Sequence, residues 1–582
     1  MTFAQASLLV LLIAMLGVFL IDRVRMEIVA ISGLLAGYAL GLYPVDKVFA
    51  GFSSPVVITV IEILLVVQVL AKTRLLDQLS SRLAGARLTN TAVVAFLSGV
   101  TGFISIFMNN IGAFSITLPV ALRVSNLTRF PKRQFVMPLS FAALLGGTVS
   151  LIGTPANLLV SDALAKHTGS GFRLFDFAYV GLPVAVAGII LAAWLAPRLF
   201  PSTEETIDDL PTVSRRRVLA EWHIPSTSPL VGANLSDLPD RFQLEPHALI
   251  RDDKFVFPAR KASVIAERDT LLAEADDVVF NELSAANALR TVRSSGWAEA
   301  DTTRVEAVVM PESTLVGSRL RSLEVFESRN VAVVGLAKRS PRVEGRFHDQ
   351  QLSIGDILIL EGRPDAITDA LDECECLALA SPQPHAGATG SWQPFAIFAA
   401  GILAMAVGLL SPVIALSCVV LTLALCNYIN IRQAIADLNW PIIIMLAAMI
   451  PIGSAVATTG TGEMIATALS TILPVSNPLV GLAVVLFLAM IMTPFVNNAT
   501  VAIVLSPIAI EFATLGHHRP EAYLIAVAAG ASLDFLTPFG HHNNTLAMGV
   551  GDYSFADFLR AGGPLTVLSY FSALILIYVV WL

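Results

Sequence analysis

Two asparagine pairs, Asn109-Asn110 and Asn497-Asn498, interrupt otherwise apolar stretches, and each is followed by a proline, Pro119 and Pro507, at the same spacing. Four residues ahead of each pair stands a hydroxyl, Ser105 before Asn109 and Thr493 before Asn497. On a helix that spacing puts hydroxyl and amide on one face. A shell of neutral hydroxyl, amide and carbonyl oxygens suits a hard cation such as sodium. The next apolar stretch of each half is broken as well, by Gly153-Thr154-Pro155-Ala156-Asn157 and by Leu536-Thr537-Pro538 with Asn544 downstream. At bilayer depth an unpaired backbone group costs several kcal/mol, so such breaks survive only where they are buried or line a cavity. There they expose carbonyls to cations at one half-helix end and amides to anions at the next. The candidate cation ligands are therefore Ser105, Asn109, Asn110, Gly153, Thr493, Asn497, Asn498 and Thr537.

Paired asparagines also cap helices or bond between helices. Their recurrence at the same place in two halves favours the site over that reading. Ionisable or strongly polar side chains inside apolar spans are functional candidates by default. Three stand out: Glu62, Gln68 and Asp534. Asp534 approaches the Thr537 break and is a candidate cation ligand or coupling acid, whereas Glu62 faces an apolar equivalent, Ala448, in the other half.

The elements that must position these residues are membrane spans. Apolar stretches of spanning length occur near residues 5–21, 26–43, 54–71, 138–163 and 174–198, and again near 393–410, 412–428, 437–457, 520–548 and 562–581. Each set of five holds, between its third and fourth span, an Asn-Asn stretch (91–122 and 477–512) expected to form a re-entrant helical hairpin. An odd number of spans per half inverts one half relative to the other. The distribution of Lys and Arg agrees: Arg23, Arg25, Lys72, Arg74, Arg82, Arg87, Arg123, Arg129, Lys132, Arg133 and Arg198 fall on one side, and Lys47, Lys166 and Arg173 on the other. The segment Thr458 to Asn477 has neither Lys nor Arg, as an external segment should. Both termini are expected outside the cytoplasm.

Charged residues make up 14% of the 582-residue chain, against about 25% in a soluble domain, and the mean hydropathy is +0.72. About 51 of the charged groups lie between Pro201 and Trp392, with acidic groups in excess. This is a membrane protein with an acidic cytoplasmic insert, which disfavours nucleic-acid binding. The apolar run from Met1 to Ile21 lacks a basic n-region and reads as a retained span. The insert carries its own repeat, Ser228-Pro229-Leu230-Val231-Gly232 and Ser313-Thr314-Leu315-Val316-Gly317, each following a strand-like run. The chain divides into a first transmembrane repeat (1–200), small α/β domains at 201–296 and 297–380, a linker (381–392) and a second transmembrane repeat (393–582). Ser202 to Ser214 and Ser381 to Thr389 read as flexible linkers. The cysteines Cys374, Cys376, Cys418 and Cys426 form no zinc-ligand pattern. No phosphate loop, dinucleotide fingerprint or catalytic constellation is present, so neither an enzyme nor a nucleotide-driven pump is expected, and no cofactor beyond a coupling ion.

These features resemble the divalent anion:sodium symporter family of the ion transporter superfamily: inverted five-span repeats, hairpins with Asn-Asn and a following Leu-Pro or Ser-Pro, and Thr-Pro breaks. The insert's two modules resemble the C-terminal domains of regulators of potassium conductance (TrkA-C), a combination found in sulfate or anion permeases. The resemblance implies an all-α polytopic membrane fold with two inserted α/β domains, an inner-membrane location, a homodimer and elevator-type alternating access. It further implies a small divalent anion as substrate, held by Asn110, Thr154, Pro155, Asn157, Asn498, Pro538, Gly540, His542 and Asn544, with sodium as the coupling ion and a small regulatory ligand on the insert. The central Asn of the family's Ser-Asn-Thr hairpin signature survives twice here, but its flanking hydroxyls do not. The cation site is therefore better supported than a dicarboxylate site, and it is the resemblance that favours sulfate or a related oxyanion over a dicarboxylate. His541-His542-Asn543 departs from the family pattern and brings hydrogen-bond donors or titrating groups to the rim. An anion exporter, a sodium/proton exchanger and a regulator-gated channel are the competing readings, the last disfavoured by the lack of a filter sequence or charged ring.

Overall fold

The computed structural model describes residues 1–21, 25–71, 83, 88–128, 130–201, 217–252, 254–256, 263–291, 303–310, 313–338, 345–379, 392–436, 438, 440–472 and 477–582. The expected linkers at Ser202 to Ser214 and Ser381 to Thr389 lie outside these residues, as do Arg23, Lys72, Arg74, Arg82, Arg87 and Arg129. One compact unit comprises Met1–Ser202, Gly387–Asn544 and Tyr553–Leu582; the other comprises Thr203–Ala386 with Thr545–Asp552.

The first unit is helical. Helices Phe3–Ile21, Met26–Ala39, Pro55–Ala71, Asn90–Ser105, Asn110–Thr128, Val136–Gly147, Pro155–Thr168 and Ala178–Leu199 follow one another in the first half. The second half repeats this order with Gln393–Ala406, Pro412–Leu425, Trp440–Thr458, Pro478–Met492, Asn498–Leu515, Pro520–Gly530, His542–Gly551, of which Thr545 onward belongs to the other unit, and Phe555–Trp581. Packing recurs too: Asn90–Ser105 lies on Val136–Gly147 and Ala178–Leu199, and Pro478–Met492 lies on Pro520–Gly530 and Phe555–Trp581. Small residues permit the close approach, since a Cβ on Gly146 would strike the Gly102 carbonyl and one on Gly530 would lie 2.7 Å from the Leu486 carbonyl. Among the described residues five helices are long and apolar enough to cross a membrane: Asn110–Thr128, Ala178–Leu199, Trp440–Thr458, Asn498–Leu515 and Phe555–Trp581. Two of them are the second arms of the expected hairpins, and each carries its proline internally, Pro119 or Pro507.

Among the described residues the insert has nine strands: β1 (Arg217–His223), β2 (Glu245–Arg251), β3 (Lys254–Phe255), β4 (Thr270–Asp276), β5 (Arg290–Thr291), β6 (Thr303–Val309), β7 (Ala332–Ala337), β8 (Ile357–Gly362) and β9 (Cys376–Ala378). The order is β3-β2-β4-β1-β7-β8-β6-β9, with β5 on β1. The β2-β4-β1 arrangement of the first module recurs as β7-β8-β6 in the second. Pairing of β1 with β7, at Leu219 and Leu336, joins the modules in one sheet.

Alternation along the strands sends neighbours to opposite faces. Val218, Ala220 and Trp222 pack with Leu238 and Phe280, while Leu219 packs with Phe326 and Ile367 of the second module. The repeated Ser-x-Leu-Val-Gly motif makes a turn. Ser228 Oγ donates to the Ala288 carbonyl at 2.7 Å and Ser313 Oγ to that of Cys374 at 2.5 Å, and Gly232 and Gly317 sit at φ 86° and 81°. Glu267-Arg268-Asp269 ahead of β4 and Ile354-Gly355-Asp356 ahead of β8, different in sequence, form one geometry as well. Arg268 and Gly355 are both left-handed, at φ 61° and 84°, and Asp269 and Asp356 each accept the amide three residues upstream.

Candidate functional site

Both hairpin tips are capped by the first asparagine of the pair. Asn109 Oδ1 accepts the Gly112 amide at 2.7 Å and Asn497 Oδ1 the Ala499 amide at 2.9 Å, satisfying helix N-terminal donors. The second asparagine is the one aimed inward. Asn110 is buried, and its Oδ1 lies where a Cβ on Gly147 would collide with it. Ser105 Oγ is 2.6 Å from the Ala143 carbonyl and 3.2 Å from Asn110 Oδ1. One hydroxyl proton serves one acceptor, so this cluster has an oxygen lone pair in surplus. Thr493 repeats the pattern, with Oγ1 2.8 Å from the Ala489 carbonyl and 3.4 Å from that of Gly530. At the second tip the Ala499 amide is likewise shared between Asn497 Oδ1 and Asn498 Oδ1.

The two broken spans are knitted by equivalent bonds. Asn157 Nδ2 donates to the carbonyls of Gly147 and Ser150 at 3.2 and 2.7 Å, ten and seven residues upstream. Asn544 Nδ2 donates to those of Asp534 and Thr537, both at 3.2 Å and again ten and seven residues upstream. Each loop is thereby folded over its own asparagine, and buried carbonyls that would otherwise go unpaired are satisfied. This sets a different register from the one read in sequence. Ser150, not Thr154, is the counterpart of Thr537, and Gly153 is the counterpart of Gly540. Gly153 needs to be glycine because a Cβ there would lie 2.6 Å from the Gly147 carbonyl.

Bonds also cross between the halves. Asn498 Nδ2 donates to Thr154 Oγ1 at 3.2 Å. Ser140 Oγ donates to Asn544 Oδ1 at 2.6 Å, and Asn543 Nδ2 donates to the Ser140 carbonyl at 2.9 Å. The Thr154 hydroxyl accepts from Asn498 and does not cap its own helix, Pro155–Thr168, leaving amides of that first turn without a side-chain partner. Such a turn favours an anion.

The structure therefore brings Ser105, Asn110, Gly153, Thr154, Pro155 and Asn157 together, and Thr493, Asn498, Asp534, Thr537, Gly540 and Asn544 around the second break. Pro538 follows Thr537 in that break, and His542 opens the next helix, half-buried. Asn157 Oδ1 is buried without a hydrogen-bond partner, as are Thr500 Oγ1 and Ser532 Oγ. An orphaned acceptor beside carbonyls fits a cation better than a further donor-poor contact. Glu62 and Gln68 do not join these clusters through their described bonds: Ser417 bonds Glu62 Oε1, and Gln68 Nε2 reaches the Ala434 carbonyl at 3.3 Å. Sequence reading missed Ser140, Gly147 and Ser150. The small-residue run Gly146-Gly147-Thr148-Val149-Ser150 pointed to the last two, and no such signal marks Ser140.

Paired broken helices around two oxygen-lined, cross-bonded loops are the architecture of a membrane transporter rather than an enzyme. The family model described as "Citrate transporter" matches residues 16–530, so the chain belongs to that transporter family. It is similar to the "Uncharacterized transporter YfbS" of Escherichia coli (strain K12), 29% identical over 96% of each chain. It is also similar to "Sodium/sulfate cotransporter 2" of Chlamydomonas reinhardtii, 26% identical over 55% of this chain and 39% of the relative. Among solved structures it resembles the YdaH transporter of Alcanivorax borkumensis, with 14% identity and a TM-score of 0.43 over 92% of this chain and 86% of that one.

Proposed function

We propose that the protein is a secondary active transporter that couples inward sodium movement to uptake of a small divalent oxyanion, with sulfate as the first candidate. The observation that carries this reading is the matched pair of loops, each folded by an asparagine over carbonyls ten and seven residues upstream and each facing a hairpin tip with surplus oxygen acceptors. Sodium takes those neutral oxygens. The anion lies between the tips, against Asn110, Asn498 and the amides that open Pro155–Thr168, with Asn157, Pro538, Gly540, His542 and Asn544 around it. Relatives described as sodium/sulfate cotransporters support both the ion and the anion.

In this reading the two halves run in opposite directions through the membrane, both termini are extracytoplasmic and the insert is cytoplasmic. The hairpins and broken spans move as a body against the remaining helices, in a homodimer. The insert is a pair of TrkA-C-like sensors whose small ligand sets the rate. The test is thermal stability of the purified chain with sulfate, phosphate and citrate, each in sodium and in potassium salts. Sulfate is expected to stabilise in sodium alone, since a ligand selective for the folded state raises its stability. Stabilisation by citrate and not by sulfate would overturn the oxyanion assignment.

A further inference from the structure

The register fixed by Asn157 and Asn544 pairs Gly147 with Asp534, so the two halves differ in charge at one equivalent position. Asp534 is 3% exposed. Its Oδ1 accepts the Leu536 amide at 3.2 Å and its Oδ2 the Thr537 hydroxyl at 3.1 Å. Both donors are neutral, and among the described residues no basic side chain pairs with it. An ionised carboxylate buried without a counter-charge is among the costliest arrangements a protein interior can hold. The backbone is nonetheless shaped to keep it. Gly540 leaves room where a Cβ would strike Asp534 Oδ2, and the same point lies 3.1 Å from Pro494 Cα at the hairpin tip. Carboxylate, break and hairpin therefore meet at one spot, with the buried, unpartnered Ser532 hydroxyl two residues away in sequence.

We propose that Asp534 gives the second half a charged site for a monovalent hard cation, while the first half, with Gly147 at that position, binds its cation through neutral oxygens alone. The inference rests on the sodium-coupled reading and deepens it. The second site holds sodium more tightly, because only there does binding neutralise a buried charge. It fills first as sodium rises, and the first site sets the concentration at which transport begins.

The contrary reading, that Asp534 merely holds a turn through Leu536 and Thr537, makes a different forecast for Asp534→Asn, which keeps shape and an acceptor oxygen but removes the charge. Unfolding of the purified full-length chain is followed in sodium-free choline chloride and across a sodium titration. Asp534→Asn is expected to be more stable than the unaltered protein without sodium and less stable in high sodium, so the two curves cross. Parallel curves would overturn the proposal while leaving sodium coupling standing. Absence of any sodium response in the unaltered protein would overturn the proposal and sodium coupling together. Should the variant not fold, binding of radioactive sodium to the unaltered protein decides. Two phases at least tenfold apart, of which Asn110→Ala removes only the weaker, support the proposal, and two equal sites overturn it.

Discussion

Replacing Asn157 by alanine removes one side chain from the first break and leaves two carbonyls without their donor. Asn157 is 1% exposed, and its amide bonds to Gly147 and Ser150 are 3.2 and 2.7 Å long. A buried acceptor stripped of its partner costs about 1–3 kcal/mol, so two cost about 2–6 kcal/mol before the loop relaxes. Asn544→Ala strips the equivalent carbonyls of Asp534 and Thr537 and also takes the acceptor from the Ser140 hydroxyl, so it is expected to be at least as costly. Because these loops present the proposed cation ligands, part of the loss is expected as weaker sodium binding, about tenfold for each 1.4 kcal/mol. Both variants are compared with the unaltered chain by denaturant titration in micelles and by sodium-dependent thermal stabilisation. A stability change under about 0.5 kcal/mol together with unaltered sodium affinity in either variant would refute the claim that the asparagines hold the breaks, since such a change is typical of substitutions away from any structural feature.

Three further outcomes are expected. Arg268 pays for a left-handed backbone that Gly355 adopts freely at the matching turn, so Arg268→Gly should raise the opening free energy of β4 by about 1 kcal/mol in hydrogen exchange, and a loss would refute the shared geometry. The His247 ring, 3.0 Å from Glu274 Oε2, holds that carboxyl below its ordinary pKa of about 4.5. The stabilisation is then present above that value and fades as the pH falls through the depressed one, so His247→Ala should weaken β2–β4 protection at pH 6 and match the unaltered chain once the carboxylate is protonated; a constant gap down to that pH would contradict it. In a cysteine-free background, Thr467→Cys and Ser170→Cys should react with an impermeant thiol reagent outside intact cells and Ser328→Cys should not, and the reverse pattern would overturn the inverted arrangement.

The hairpins were legible because an Asn pair, an upstream hydroxyl and a downstream proline each leave a local mark, and the marks recur at the same spacing. The same locality misled at the broken spans. Thr154-Pro155 and Thr537-Pro538 look alike in sequence, but hydrogen bonds from Asn157 and Asn544 align Thr537 with Ser150 instead, and the histidines at 541 and 542 disguise the true counterparts of Thr154 and Pro155. Capping by Asn109 and Asn497 was not separable from ligation by composition alone, since both uses want the same side chain. The insert's twofold module was visible in Ser-x-Leu-Val-Gly. Its fusion into one sheet depends on β1 meeting β7 across more than a hundred residues, which leaves no periodicity to read. Asp534 was conspicuous as an acid in an apolar span; its opposition to Gly147 needed the register that only the loop hydrogen bonds provide.

The claim that the paired breaks form a sodium-coupled oxyanion carrier is tested most directly by uptake of radiolabelled sulfate into proteoliposomes under an inward sodium gradient. Sulfate is expected to accumulate transiently above its equilibrium level, saturably, and the excess is expected to vanish when potassium replaces sodium or an ionophore collapses the gradient. Uptake that is equal in sodium and potassium, or that never exceeds equilibrium, would contradict the account.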